Sequence, residues 1–327
     1  MALKSFFKSN GYFIGFIIIA LLIIIIINVT NNLACKASYS LEPNYIICIP
    51  QGGLIDMCNV IYRSHEYAKN YNRILLIDTT TGWFNDDIND YIQFHSPYIY
   101  TGHPNTLNYK IKDISVYPSG INIMDMPFPE KRRNPHSEGY SFYLNDRSLS
   151  YNLDKSFDER IMVYSMYRLG PHYFNELLRF SSISDMVKKS YWSARARLPS
   201  YYVGIHIRNT DYASDVPHFI KTHETQFAEK ALFVATDNRG SLDLIKEKYG
   251  SNVFSFTDIT DNGGKPLHEA RNRNKEESRK YNIDTFVDLL LLASANEYYH
   301  SSNESGFSLA IVEVRNEEGL LTRLLKK

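Results

Sequence analysis

Cysteine is scarce in this chain, with three among 327 residues. Cys35, Cys48 and Cys58 show neither CxxC spacing nor neighbouring histidines, which argues against a cysteine metal site and leaves room for one disulfide at most, with nothing in the spacing to support it. Cys48 falls in an expected strand and Cys58 in an expected helix, where both read as small buried apolar groups. A surplus of either charge is missing too: 36 basic and 36 acidic side chains cancel. That balance argues against nucleic acid as the main partner, though it leaves room for one local basic pocket. No two aspartates stand one residue apart, so the DxD pair that often holds a nucleotide-bound cation is lacking. There is also no HExxH, no Walker loop and no GxGxxG.

What is present begins with a long apolar run. "YFIGFIIIALLIIIIINV", Tyr12 to Val29, is broken only by Tyr12 and Asn28, and its length approaches the ~20 residues that cross a bilayer. Lys4 and Lys8 precede it with no acid between them, so the N-terminus is expected in the cytoplasm. A cleavable signal peptide is the competing reading, but its apolar core runs only ~7–15 residues. The expectation is an uncleaved signal-anchor of a type II membrane protein: tail 1–11, transmembrane helix 12–29 and polar tether 30–43. The remainder would then lie in a lumen of Golgi or ER type, or outside the cell. "NVT" at Asn28 and "NES" at Asn303 match glycosylation sequons, but the first lies too near the membrane and the second in an expected binding loop.

The other residues alternate between strand and helix patterns, and a chain 44% apolar can fill two cores. "YIICIP" is a short buried strand; "QGG" (Gln51 to Gly53) turns into a helix over Asp56 to Asn70, and "RILLID" (Arg73 to Asp78) is the next strand. Strand, glycine turn, helix, strand is a βαβ unit and implies a parallel sheet. Helices are expected from Arg160 to Phe180 and from Asp185 to Arg197. "EKRRNPH" (Glu130 to His136) reads as a solvated loop. Beyond Pro199, strands are expected at Tyr201–Ile207, Ala231–Thr236, Asn252–Phe256 and "EYYHS". Helices are expected at Ser241–Tyr249, at Ile283–Ala295 and after "SNESGFSLA". The fold class is therefore α/β, with two facing doubly wound Rossmann-like domains at 44–198 and 199–327.

In open α/β sheets, ligands sit beyond the carboxyl ends of the strands. Three polar clusters fall there: "HIRNTD", "ATDN" and "SSNESGFS". His206 and Arg208 share one strand face, and a buried guanidinium needs an anion, either a neighbouring carboxylate or one brought by a ligand. Backbone N–H groups around Gly306, with the Ser305 and Ser308 hydroxyls, can cradle a phosphate at a helix start. Arg208 can add a fork of donors to the same anion. Each piece alone has a plainer use, as a salt bridge, a strand end or a helix cap; together they describe a diphosphate site without metal.

In this order the motifs resemble the α-1,6-fucosyltransferases of core N-glycan and nodulation-factor synthesis. "HIRNTD" is similar to that family's HxRxTD, "LFVATDN" to its apolar strand ending in TD, and "GGKPLHEARNRNKEE" to its glycine–leucine–histidine loop. "IDTFVDLLLLASANEYYHSSNESGFS" follows its helix, strand and Ser-Phe-Ser loop. "GGLIDMCNVIYRSHEYAKNYNRILLID" parallels its glycine-rich start, which includes Gly52 and Gly53. The resemblance implies a GT-B fold, GDP-fucose as donor, no cofactor, no metal and inversion at the fucose anomeric carbon. It also implies a glycan acceptor, by precedent the 6-hydroxyl of N-acetylglucosamine.

By the same resemblance Arg208 holds the β-phosphate, His206 shapes that pocket, and Asp237 lies near the guanosine. His268 lines the donor site, while Ser305 and Ser308 face the pyrophosphate. The acceptor proton goes to Asp215, with Asp211 the alternative; the plainer use of either is to cap the following turn. Two positions depart from the family, where basic residues follow the motif: Asn209 and Tyr212. A transferase for another GDP-sugar, and a non-catalytic nucleotide- or glycan-binding relative, are the competing readings.

Overall fold

The computed structural model describes residues 44–82, 84–100, 115–119, 130–133, 140–144, 147–149, 151–166, 173–210, 214–259 and 274–326. The expected anchor at 12–29 and the tether lie outside the described residues. Among the described residues, no helix is long and apolar enough to cross a membrane.

The glycine turn organises the first βαβ unit. β1 (Asn44–Pro50) is buried from Ile46 onward and leads through Gly52 and Gly53 into α1 (Leu54–Asn70), then β2 (Arg73–Ile77). Gly52 has φ +95°, and a Cβ there would stand 2.9 Å from Cβ of Asp56. Only glycine meets both demands. α1 begins at Leu54 rather than at Asp56, with Gly53 as its N-cap. Cys48 and Cys58 are buried, free thiols. Burial pushes the Cys48 thiol up to about 12.

Next come β3 (Ile92–Phe94), β4 (Ile99–Tyr100) and β5 (Val116–Tyr117), then an antiparallel trio of β6 (Glu130–Arg133), β7 (Tyr140–Leu144) and β8 (Arg147–Leu149). β6 replaces the expected loop over Glu130–Arg133 with a strand, while 134–136 of that segment lie outside the described residues. β9 (Ile161–Met166) corrects another expectation, since residues 160–180 were read as helical. All six residues of "IMVYSM" are buried, and β9 pairs in parallel with β1 on one side and β5 on the other. A strand covered on both faces shows no alternation, so its pattern cannot be told from that of a buried helix. The only helix described in that range is α2 (Phe174–Arg179). The first sheet has the order β4-β2-β1-β9-β5. β10 (Ser181–Ile183) pairs antiparallel with β3, and α3 (Asp185–Arg195) follows, capped by Ser184.

The second sheet, β13-β12-β11-β14, is parallel throughout. It comprises β11 (Val203–Ile207), β12 (Leu232–Thr236), β13 (Val253–Phe254) and β14 (Glu297–His300). Between and after these strands lie α4 (Val216–Thr222), α5 (Glu224–Phe227), α6 (Arg239–Tyr249), α7 (Lys275–Ser294), α8 (Gly306–Asn316) and α9 (Leu320–Leu325). α7 starts at Lys275, well ahead of the expected Ile283, because Asn274 and Glu277 form a capping box. Its first turns are polar, so hydrophobic periodicity could not reveal them.

The faces of β11 are assigned by their neighbours. Val203, Ile205 and Ile207 join a core cluster with Val216, Phe219, Leu242 and Ile245. The opposite face is cut down to glycine at Gly204, where a Cβ would fall 2.9 Å from Cβ of Ala295 and 3.2 Å from a Leu292 methyl. α7 therefore lies directly on the strand. Gly204→Ala is expected to cost about 1–3 kcal/mol through overpacking, read as a lower urea midpoint at unchanged m-value. α7 also carries the main core, in which Phe286 and Leu289–Leu292 join Ile46 and Leu75 of the first sheet to Phe233 and Ala235 of the second. Its polar half is strapped to residues 84–90: Asn282 donates to the Phe84 carbonyl at 2.8 Å, and Arg279 meets the buried Asp86 and also Asp90.

Candidate functional site

The site grows from the carboxyl end of β11. His206 faces α8, where its Nδ1 lies 2.7 Å from Oγ of Ser308 and its ring packs beside Phe307. Burial, reinforced by the charge of Arg208 and by His300, lowers its pKa to about 3. At neutral pH His206 is therefore an uncharged partner of the helix, and it adds no cation to the pocket.

Arg208 lies just past the strand. Its Nη1 is 2.6 Å from Oδ2 of Asp237, and its backbone N–H donates to Oγ of Ser301 at 3.1 Å. Asp237, at the end of β12, is buried. It also accepts the Asn209 N–H at 2.9 Å and the Thr210 hydroxyl at 2.7 Å. The anion beside Arg208 in this structure is therefore a carboxylate of the chain itself. This is the carboxylate alternative for Arg208, and it sets Asp237 at the guanidinium, where the resemblance implied a place near the guanosine. The parallel register brings this about, since Ile207 lies opposite Thr236 and the next residues of both strands emerge side by side.

The serine loop also differs from expectation. Ser305 is the N-cap of α8, its Oγ accepting the Ser308 N–H, and both side chains are buried. With Ser308 bonded to His206, these hydroxyls serve cap and core instead of facing a pyrophosphate. An anion at the start of α8 would meet the first-turn amides, Gly306 included, and the positive end of the helix dipole. Asp215 takes the capping role: its Oδ1 accepts the His218 N–H at 3.0 Å at the start of α4, and its side chain remains exposed. Asp211, Tyr212 and His268 lie outside the described residues.

The structure thus brings together His206 with Ser308 and Ser305, and Arg208 with Asp237. Gly52 and Gly53 stand at the carboxyl end of β1 in the other sheet. Ser214, Ser241 and Ser301 brace this loop; sequence reasoning missed the first two, which stand as isolated serines, and placed Ser301 only as part of the cluster "SSNESGFS". It also missed Asp288, hidden in the apolar helix α7. Burial raises that carboxyl to about 8, although Thr257 donates to it at 2.7 Å. Among the described residues, no cluster of histidine, cysteine and acidic side chains could hold a metal ion.

No family model matches this chain, and no curated protein matches it in sequence. Its fold has clear counterparts among solved structures. A NodZ α-1,6-fucosyltransferase soaked with GDP-fucose superposes with a TM-score of 0.56 at 14% identity, over 83% of this chain and 92% of that one. A NodZ form co-crystallised with GDP gives 0.55 at 13% identity, with the same coverages. The fucosyltransferase NodZ from Bradyrhizobium gives 0.54 at 13%, again covering 83% and 92%. At such identities the likeness establishes the fold: this α/β chain with two parallel sheets has the GT-B architecture of those fucosyltransferases. The motif resemblance is borne out at that level.

Proposed function

We propose that this protein is a glycosyltransferase that moves fucose from GDP-fucose to a glycan hydroxyl. The observation that carries the reading is Arg208, held by Asp237 at the carboxyl end of β11 in a fold shared with fucosyltransferases solved with GDP and GDP-fucose. A guanidinium has five donors in a rigid fork, more than one carboxylate oxygen can use, so Arg208 can hold Asp237 and a phosphate together.

The reaction is a single displacement. An acceptor oxygen forms a bond to C1 of fucose while the bond from C1 to the β-phosphate oxygen breaks, which inverts the anomeric centre. The electron pair leaves with GDP, whose growing charge meets Arg208 and the first-turn amides of α8. The hydroxyl proton passes to Asp215, the exposed carboxylate at the start of α4. The neutral His206 supports α8 from behind. By family precedent the acceptor is the 6-hydroxyl of N-acetylglucosamine. The apolar run 12–29 anchors the enzyme as a type II membrane protein with this site in a lumen or outside the cell.

Calorimetry of the full chain in detergent, with EDTA present, tests the first step. GDP should bind exothermically with a Kd near or below the micromolar range, and labelled fucose should pass from GDP-fucose to N-acetylglucosamine oligomers. No heat from GDP would end the proposal. Transfer from a different GDP-sugar alone would keep the fold's chemistry and reassign the donor.

A further inference from the structure

Asn209 follows the site arginine where the family resemblance calls for a second basic residue, and the structure gives it another use. Its Nδ2 donates to Oγ of Ser241 in the first turn of α6 at 3.0 Å, while its Oδ1 accepts the Ser214 N–H at 3.1 Å. Its own N–H is the one bound by Asp237. One side chain thereby joins the end of β11, the start of α6 and the residue just before Asp215. Ser214 is held again through its hydroxyl, which donates to the Arg208 carbonyl at 2.6 Å and lies 2.9 Å from Oγ of Ser301. Ser301 in turn accepts the Arg208 N–H. The lattice around Ser214 determines where the chain leaves toward α4, and so where the Asp215 carboxylate stands. Such a brace needs a donor and an acceptor on a short, uncharged stem; a long cation offers no acceptor.

We infer that Asn209 is a positioning residue that sets the Asp215 carboxylate relative to the Arg208 guanidinium. The assignment rests on the fucosyl-transfer reading. A general base must reach within ~3 Å of the proton it takes, and a displacement near 1 Å can cost on the order of 100-fold in rate. Donor binding is governed separately, because Asp237 orients Arg208 whether or not the asparagine amide is present.

The test compares N209A, N209R and S241A with the wild-type chain, by kcat and KM for transfer, by GDP calorimetry and by Tm. N209A is expected to lose kcat by about 30–100-fold with GDP affinity within about threefold of wild type. S241A, which removes one of the two side-chain bonds, should show a smaller loss of the same kind, and N209A/S241A should be no worse than N209A. N209R should also lose kcat. A gain in turnover from N209R would overturn the assignment, as would an N209A variant with wild-type kcat. A parallel fall of GDP affinity and Tm would overturn it as well, leaving Asn209 a support for folding only. If the wild-type chain transfers no fucose, the fucosyltransferase reading falls and this assignment with it; transfer by wild type with unaltered N209A removes this assignment alone.

Discussion

Arg208→Ala is expected to lower fucosyl transfer by about 100- to 1,000-fold, the usual loss when one preorganised group facing developing charge is removed. GDP affinity should fall with it, because the ground-state diphosphate already carries the charge that the guanidinium meets. Arg208→Lys should recover little. An ammonium is a point charge with no fork, and one committed to Asp237 at ion-pair distance cannot also span to a phosphate. The alanine variant leaves Asp237 buried with the Asn209 N–H and the Thr210 hydroxyl as its remaining described partners, so it also loses stability. The double variant Arg208→Ala/Asp237→Asn separates the two effects: it should regain thermal stability without regaining transfer. Steady-state kinetics, GDP calorimetry and a melting curve on the same preparations decide the matter. Transfer by Arg208→Ala within threefold of wild type would remove the arginine from the reaction.

Arg73→Ala is expected to cost about 3–5 kcal/mol of folding stability, the order set by emptying a large buried site and leaving hydrogen-bond acceptors unmet. Only 1% of Arg73 is exposed. Its Nη1 donates to the carbonyls of Tyr45 and Glu159 at 3.3 and 2.9 Å, its Nη2 donates to the carbonyl of Phe157, and the guanidinium lies over the Tyr67 ring. It ties the start of β2 to β1, α1 and residues 157–159. Removing it leaves three carbonyls without this donor, together with the cavity of the largest fully buried side chain among the described residues. Arg73→Lys should recover part of the loss, since an ammonium has three donors but cannot spread them over two segments in one plane. Urea titration by tyrosine fluorescence and circular dichroism provides the measurement. A loss below 1 kcal/mol for Arg73→Ala would show that these carbonyls find other donors. Nothing about "RILLID" reveals this, because an arginine at a strand's first position looks like an exposed edge.

The fold was legible wherever burial follows a period. β1, α1, β2 and most elements from α3 onward lie within a few residues of their expected ranges, because half-buried helices and glycine-bounded strands carry their own pattern. β9 was not legible, because a run buried at every position carries no alternation to separate it from a buried helix. The first turns of α7 were not legible because a capping box of Asn274 and Glu277 builds them, without any apolar stripe. The site followed the same division. "HIRNTD", "ATDN" and "SSNESGFS" were recognised as ends of strands and the start of a helix, which is a statement about chain order.

Residue types and their spacing were enough to determine the alternation of strands and helices, the polar clusters at the carboxyl ends and the resemblance to fucosyltransferase motifs. Those features are local, written within a few residues of one another. Which polar group meets which was decided only in three dimensions. Asp237 belongs to Arg208, Ser308 to His206 and Asn209 to both Ser241 and Ser214, across separations of 29, 102, 32 and 5 residues. Sheet register and helix docking bring those partners together, and a buried charge or amide then takes whichever counterpart the packing places within hydrogen-bond reach, since leaving it unpaired would cost more than any local preference could offset.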